Sequence, residues 1–338
     1  MGSKVSYSHF QIDYLKNLLC KEYDEFTTED THINVFNHGF NAIYWVRTSR
    51  KSWMLRVRPN YPYYDLSSTN VEFATSFQSH LHSVNFPVPH ILRRTSGKLY
   101  GKLEAPEGDR FYSVHEMLGG RSVYPLSPNQ GEAAGKLLAT MHELSREYHP
   151  NHLRLYFTKE QMLDQPHQLL DLHPEFIPER YEWFDHLLVS MKEEMSKLDL
   201  SNYPFVILHG DFWHGNLLVD QSTIHIVDFD FSCYGPRELD LASFLILGYQ
   251  RALDEGSDLK KVDEMFSQLV RGYTSMAPEG IDKKLLIELS KMRVTWIIGG
   301  YLAVIGIQSY YGIRKRVDIL LQILNHLDGD LGTLIKRI

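Results

Sequence analysis

The chain has 338 residues, of which 43% are hydrophobic and 12% aromatic, enough to bury a sizeable core in about two domains or in one domain of two lobes. A formal charge of −7 and an isoelectric point near 6.2, with no run of five or more basic residues, exclude general affinity for nucleic acid or acidic membranes. The only cysteines, Cys20 and Cys233, lie far apart and lack zinc-ligand spacing, which favours a reducing cytoplasm over a disulfide framework.

The N-terminal third is typical of a β-rich lobe. The runs NVFNHGFNAIYWV (34–46) and SWMLRV (52–57) predict two strands joined by the polar turn TSRK. The segment VEFATSFQSHLHSV (71–84) repeats apolar residues every three to four positions and predicts a helix. Two more strand-like runs follow, KLYGKL and FYSVHEML. We expect an N-terminal lobe over residues 1–118.

The remaining residues, 119–338, predict a mainly helical lobe and so an α+β fold. The run QGEAAGKLLATMHELS is typical of a long helix, and the pattern is helical again from about residue 241 to the end. The longest apolar stretch, residues 294–307, has 14 residues, fewer than the roughly 20 that span a bilayer. It predicts a buried helix, and no membrane partner is expected.

Three polar residues around a predicted hairpin suggest a chemistry. The runs LLV (217–219) and IHIVDF (224–229) predict two strands joined by the turn DQST, and we expect Val219 to face Ile224 across it. In that antiparallel register Asn216 lies next to Asp228, and their side-chain oxygens suit Mg²⁺. Asp211 precedes Asn216 by five residues, as in kinase loops whose aspartate accepts or orients the hydroxyl proton. The constellation predicts magnesium-dependent transfer of the γ-phosphate of ATP or GTP to a hydroxyl group.

The same segments resemble a known family. LHGDFWHGNLLVD, followed by IHIVDFDFSCYGPRELDLASF, is similar to the motifs of aminoglycoside phosphotransferases and choline kinase-like enzymes. The resemblance implies a two-lobed, protein-kinase-like fold. It implies Asp211 as the catalytic base, with Asn216 and Asp228 as magnesium ligands. It also implies that Asp240 is structural and that His209 braces the catalytic loop.

The resemblance further implies where the nucleotide binds. The loop HGFNA, with Gly39 and Asn41, stands where the family bends a hairpin over the phosphates. The strand end VHEML resembles the hinge between lobes. Backbone groups around Glu116 and Met117 are therefore expected to hydrogen-bond the purine.

A cation on the predicted strand departs from the family pattern. Where the family often has a lysine for the α- and β-phosphates, WMLRVRP places Arg56. Arg58 points to the same face because side chains alternate along a strand, so either arginine could bind phosphate. Glu72 matches the family glutamate that pairs with the strand cation, which predicts an ion pair between Arg56 and Glu72.

The acceptor is expected to be a small hydroxyl compound. Only nine residues separate Asp230 from Asp240, without the APE segment that ends the activation loop of protein kinases. Residues 151–200 carry ten acidic and five basic side chains. This charge would attract an amine-bearing metabolite or an aminoglycoside-like compound if it bordered the site, although a solvated helical face is the more usual explanation of such charge.

Three other readings stay open from the sequence. One is a protein serine or threonine kinase of the same fold, and another is a catalytically silent nucleotide-binding regulator, which an arginine in place of the lysine would suit. The third is a metal hydrolase. Its zinc or manganese ligands would be His209, Asp211, His214, Asp228 and Asp230.

Overall fold

The computed structural model describes residues 8–151, 154, 158–176, 181–197, 203, 205–221, 223–277, 279–304 and 310–328. Contacts divide the chain into two compact units. Unit 1 takes Met1–Gly120, Pro150–His152 and His225–Asp230; unit 2 takes Arg121–His149, Leu153–Ile224 and Phe231–Ile338. The expected lobes 1–118 and 119–338 remain a prediction, because these contact units interleave along the chain.

Unit 1 is built on an antiparallel five-stranded sheet in the order β1-β2-β3-β5-β4. Its elements are α1 (Ile12–Glu22), β1 (His32–His38), β2 (Ala42–Arg47), β3 (Ser52–Val57), α2 (Ser68–Ser83), β4 (Gly101–Leu103) and β5 (Arg110–Glu116). The single strand predicted over residues 34–46 is wrong. Residues 39–41 form a turn there, so that His38 pairs with Ala42 across a hairpin.

The sheet and helix α1 enclose the core of unit 1. Alternation along β3 buries Trp53, Leu55 and Val57, which pack with Leu15 and Leu19 of α1. Because neighbouring side chains on a strand point to opposite faces, this alternation turns the arginine between Leu55 and Val57 away from the apolar core. The polar residues of unit 1 can therefore gather on the other side of the sheet.

The other elements are mainly helical, which confirms the α+β class. They are α3 (Pro128–Ser145), α4 (Gln165–Leu172), α5 (Tyr181–Lys197), β6 (Phe205–Leu208), β7 (Leu217–Asp220), β8 (Thr223–Ile226), β9 (Cys233–Pro236), α6 (Glu238–Glu255), α7 (Leu259–Met276), α8 (Lys283–Ala303) and α9 (Tyr310–Asp328). Strand β6 pairs with β9, and β7 pairs with β8, as the predicted hairpin requires. The four-residue strands β6 and β9 were not predicted, because so short a run has little periodicity.

The apolar stretch predicted as a buried helix falls largely in α8. Its residues from Val294 to Ile298 are buried, whereas residues 305–307 lie outside the described part of the chain. Among the described residues, no helix is both long and apolar enough to cross a membrane.

Helices α3 and α7 approach each other so closely that their backbones touch. A Cβ atom on Gly135 would lie 1.9 Å from the carbonyl oxygen of Leu269, and one on Gly272 would lie 2.0 Å from that of Glu132. The obstructing atoms belong to the backbone, so neither can rotate out of the way. This contact depends on glycine at both positions.

We expect Gly135→Ala to lower the thermal unfolding midpoint. Alanine favours a helix by about 1 kcal/mol over glycine, but overpacking against a rigid neighbour costs about 1–3 kcal/mol or more, and the helices must separate. Gly131→Ala on the same helix face is the control, since its Cβ would meet the side chain of Gln268 at 3.0 Å, and it should shift the midpoint less. Wild-type stability of Gly135→Ala in a thermal scan would contradict the close packing.

Candidate active site

The loop over residues 209–216 is held at its start by a buried carboxylate. Asp240, in the first turn of α6, accepts hydrogen bonds of 2.8 Å from the backbone N–H groups of both His209 and Gly210. It also accepts one from Nε2 of His142 at 3.0 Å. Burial alone would raise the pKa of Asp240, but the hydrogen bond and charge of His142 hold that pKa below its ordinary value. Asp240 thus acts as an anionic anchor for the loop.

Two further features fix the course of this loop. Gly210 has φ 79°, and a Cβ atom there would lie 1.9 Å from the carbonyl oxygen of Phe231, so only glycine suits the position. Nδ1 of His209 accepts a hydrogen bond of 3.2 Å from the backbone N–H of Asp211. The histidine thereby braces the loop, as the resemblance implied.

Both carboxylate oxygens of Asp211 accept hydrogen bonds within unit 2. Nδ2 of Asn216 donates to Oδ2 at 3.0 Å and to the backbone carbonyl of Asp211 at 2.8 Å. Nη2 of Arg293, on α8, donates to Oδ1 at 2.7 Å. Because its amide nitrogen faces Asp211, Asn216 has its side-chain oxygen as the atom that can ligate a metal.

Arg293 was missed in the sequence analysis. It lies 82 residues after Asp211, beyond the span of the family motifs. A signal was nevertheless present, since Arg293 is the only charged residue in the apolar run from Met292 to Ile298. A charge in a buried helix requires a partner, and here that partner is the predicted catalytic base.

In unit 1, Asp228 has an unusual backbone. It follows β8 by two residues with φ 72°, a region that residues other than glycine rarely adopt. The strand predicted over residues 224–229 ends earlier, at Ile226, because this conformation cannot continue it. Such outliers cluster at functional sites. The carboxylate of Asp228 accepts a hydrogen bond from the guanidinium of Arg56.

Both strand arginines bind a second aspartate. Nη2 of Arg56 lies 2.9 Å from Oδ2 of Asp230, and Nε of Arg58 lies 2.7 Å from Oδ1. Arg58 and Asp230 are each 2% exposed. Burial would raise the pKa of Asp230, but the charges of Arg56 and Arg58 hold it well below its usual range. Arg58 thus forms a buried ion pair with Asp230, and Arg56 contacts both Asp228 and Asp230.

The polar cluster continues from Arg58 into strand β5. Nη1 of Arg58 donates to Oγ of Ser113 at 3.0 Å, and that oxygen lies 2.7 Å from Nε2 of His115. Burial first, and then the charges of Arg58 and Arg56, lower the pKa of His115 to about 3. The imidazole is therefore neutral at physiological pH.

The predicted ion pair between Arg56 and Glu72 is wrong. In the described part of unit 1, the Glu72 carboxylate accepts from the Tyr100 hydroxyl at 3.4 Å, while Arg56 binds Asp228 and Asp230. Among the described residues the two side chains share no partner, and Glu72 is exposed on α2. Asp228 and Asp230, two positions apart, bind the guanidinium of Arg56 instead. A role of Glu72 in nucleotide binding stays a prediction.

We therefore expect Arg56→Ala and Glu72→Ala to act independently. Residues without shared contacts add within about 0.5 kcal/mol, whereas residues in contact couple by about 0.5–3 kcal/mol. In a double-mutant cycle on log kcat/KM for ATP, the Arg56 and Glu72 substitutions should add. The matched cycle of Arg56→Ala with Asp230→Asn should not. Coupling in the first cycle and additivity in the second would contradict the contacts of Arg56.

The remaining residues predicted to bind nucleotide also lie in unit 1. Nδ2 of Asn41 donates to Oδ2 of Asp230 at 3.2 Å, which ties the 39–41 turn to the arginine cluster. A Cβ atom on Gly39 would meet Asn37 at an ordinary distance of 3.5 Å, so the turn itself does not require this glycine. The backbone N–H of Glu116 donates to His90, and that of Met117 to Ser52. At these two residues, a purine could therefore hydrogen-bond only by donating to the backbone carbonyl oxygens.

The predicted hydrolase ligands do not assemble into a metal site. Over the described residues, no group of three or more His, Cys, Asp or Glu side chains could hold a metal ion. His214 is 2% exposed and its ring packs 4.4 Å from that of Tyr124. Burial and the charge of Arg251 lower the pKa of His214 to about 4. This imidazole is a neutral, packed side chain.

Comparisons with known proteins identify the family and the fold of the chain. The model of the phosphotransferase enzyme family matches residues 32–278. A relative in Synechocystis sp., described as an uncharacterised protein, is 25% identical over 327 residues, which cover 94% of this chain and 86% of that protein. Amicoumacin kinase hAmiN, solved with AMP-PNP, Ca²⁺ and amicoumacin, superposes with a TM-score of 0.71 at 16% identity, over 94% of this chain and 93% of that one. A microcompartment-associated aminopropanol kinase gives a TM-score of 0.66 at 18% identity, over 96% and 98%.

The solved structures establish the fold, and the family model establishes the family. The solved structures share the protein-kinase-like fold, with its antiparallel N-terminal sheet and helical C-terminal region, as the sequence motifs implied. The family match covers well over half of the chain. The chain belongs to the phosphotransferase enzyme family.

Proposed function

We propose that this protein is a magnesium-dependent kinase that moves the γ-phosphate of ATP, or of GTP, onto a hydroxyl of an amine-bearing small molecule. The observation that carries the proposal is the setting of Asp211. Its carboxylate is held by Asn216 and Arg293 yet remains 21% exposed, so an acceptor hydroxyl can reach it. In the transfer, the acceptor oxygen bonds to the γ-phosphorus, the bond to the β-phosphate oxygen breaks, and the hydroxyl proton passes to Asp211.

The proposed metal ligands are Asn216 and Asp228. The amide nitrogen of Asn216 donates to Asp211, so the amide oxygen of Asn216 is the atom offered to a hard cation. Asp228 supplies a carboxylate. An amide oxygen and one carboxylate fit Mg²⁺, which completes its shell with water and phosphate. When bound, the ion would neutralise charge on the phosphates.

For the nucleotide, we propose the turn with Gly39 and Asn41, the guanidinium of Arg56, and the segment with Glu116 and Met117. Arg56 is more available than Arg58, since its side chain is 11% exposed against 2%. A guanidinium can bind phosphate oxygens through its planar fork. The complex of hAmiN with AMP-PNP supports an adenine nucleotide as the co-substrate.

A protein acceptor is disfavoured by the segment between Asp230 and Asp240. It consists of β9, paired with β6, and the start of α6. No residues remain there for a peptide-receiving activation loop. An amine-bearing acceptor is supported by the aminopropanol kinase among the similar structures, and by the acidic composition of residues 151–200.

Phosphate transfer from labelled ATP and GTP into a panel of acceptors tests the proposal. The panel holds 1-amino-2-propanol, ethanolamine, choline, spectinomycin and neutral sugars, with casein and histone as protein acceptors. We expect one amine-bearing compound to exceed the proteins in kcat/KM by orders of magnitude. Labelling of a protein acceptor alone would favour a protein kinase, and nucleotide binding without any transfer would favour a silent regulator.

A further inference from the structure

Arg293, a buried residue of α8, lies beyond the family motifs. Its side chain is 1% exposed, and its guanidinium carbon lies 4.4 Å from the ring centroid of Trp296. Trp296 in turn packs edge to face against Phe231, with ring centroids 5.7 Å apart. Within unit 2, the guanidinium therefore lies over the Trp296 ring while it donates to Oδ1 of Asp211.

Stability alone gives little reason for an arginine at this position. Burying a guanidinium is costly, and apolar residues of similar volume often replace buried ion pairs without loss of stability. An arginine has two properties that an apolar residue lacks, a permanent charge and a rigid fork of donors. Here one nitrogen of the fork, Nη2, donates to the carboxylate that is predicted to face the acceptor.

We propose that Arg293 is a positioning residue for the proposed transfer, an inference that rests on the proposed function. From the buried side, Arg293 fixes Oδ1 of Asp211 while Asn216 fixes Oδ2. The orientation of the carboxylate is then set before an acceptor arrives. Each carboxylate oxygen has a second lone pair, so the exposed edge of Asp211 can still accept the hydroxyl.

The size of the expected effect follows from the importance of alignment in phosphoryl transfer. Catalysis there depends mainly on positioning and charge, and a misplacement of about 1 Å can cost roughly 10²-fold. Without Arg293, Asp211 can rotate away from the productive orientation. We expect Arg293→Met to lower kcat by about 10²-fold, while KM for ATP changes by less than a factor of about three, because the change leaves the nucleotide residues of unit 1 intact.

The test is a double-mutant cycle with Asp211, using the best acceptor of the panel. If Arg293 acts through Asp211, then Arg293→Met should reduce kcat in the wild-type background but by less than about threefold in Asp211→Asn. Guanidinium ion at millimolar concentration should partly restore kcat to Arg293→Ala, and methylammonium should not. Ser290→Ala is the matched control, because it removes a fully buried hydroxyl from α8 that bonds within the helix, and it should keep wild-type kcat.

The outcomes separate the two proposals. If the wild type transfers phosphate and Asp211→Asn does so far more slowly, but Arg293→Met keeps full kcat or acts additively with Asp211→Asn, the role of Arg293 is overturned and the proposed function stands. If the wild type transfers phosphate to no member of the panel, the proposed function fails and the inference falls with it. Should Arg293→Met not fold, Arg293→Lys is used in the same cycle, and a fully active lysine variant would overturn the need for the planar fork.

Discussion

Asp211→Asn is expected to lower kcat by about 10²- to 10⁴-fold, the usual contribution of a positioned acid or base. The amide cannot take the hydroxyl proton. It also presents a donor to either Asn216 or Arg293, both of which donate to the carboxylate in the wild type. The variant should therefore lose the orientation of the side chain at position 211 together with the base. Steady-state transfer from ATP to the preferred acceptor measures the loss.

Binding and stability measurements keep this result interpretable. Asp211→Asn should still bind magnesium nucleotide with nearly wild-type affinity by calorimetry, because Asp211 is assigned to the acceptor. Asp220→Asn is the matched control, since this exposed aspartate closes β7 nine residues later, and it should keep full kcat. Turnover of Asp211→Asn within a factor of a few of the wild type would remove Asp211 from its assigned role.

Asp228→Ala is expected to abolish transfer and to weaken magnesium-dependent nucleotide binding. When bound, the proposed metal would neutralise charge on the phosphates, and Asp228 would help to hold it, so loss of this carboxylate should remove charge stabilisation in the transition state. The fold should survive, because Arg56 keeps its contact of 2.9 Å with Asp230. Calorimetric titration of Mg²⁺ into the variant with AMP-PNP measures the loss of metal affinity without depending on turnover.

The contact between Arg56 and Asp228 gives this experiment a second arm. Arg56→Gln should tighten Mg²⁺ binding in the absence of nucleotide, because it frees Asp228 from a competing cation. Asp220→Ala again serves as the exposed control and should leave the titration unchanged. If Asp228→Ala titrates with Mg²⁺ like the wild type, Asp228 is not a metal ligand.

The sequence alone supported much of the fold and the short-range part of the site. The contact between Asp211 and Asn216 follows from their spacing on one loop, and the predicted hairpin of β7 and β8 is present. The roles of Asp211, Asn216 and Asp228 stay predictions. The helix α2 could be predicted because Val71, Ala74, Phe77, Leu81 and Val84 recur as an apolar face. The first four are buried, whereas Val84 follows the end of the helix at Ser83 and is 43% exposed, so its place on that face is wrong. Local spacing was sufficient in each of these cases.

Long-range partners could not be predicted in the same way. The pair of Arg293 with Asp211 joins residues 82 positions apart, and that of Arg56 with Asp230 joins residues 174 apart, so no periodicity connects them. The family pattern suggested Glu72 as the partner of Arg56. The structure instead shows that a second acidic residue, two positions after Asp228, binds the arginine that stands in place of lysine.

The most direct test of phosphoryl transfer from a nucleotide to a hydroxyl by this chain is ³¹P NMR of the reaction mixture. With magnesium, ATP and the preferred acceptor, the wild type should convert ATP into ADP and a phosphomonoester whose phosphorus couples to the protons of the acceptor carbon. Asp211→Asn should leave the ATP resonances unchanged over the same time. Phosphoryl transfer to the acceptor would be contradicted if the wild type produced only inorganic phosphate, or AMP with pyrophosphate. The role of Asp211 would be contradicted if Asp211→Asn formed the same ester at an undiminished rate.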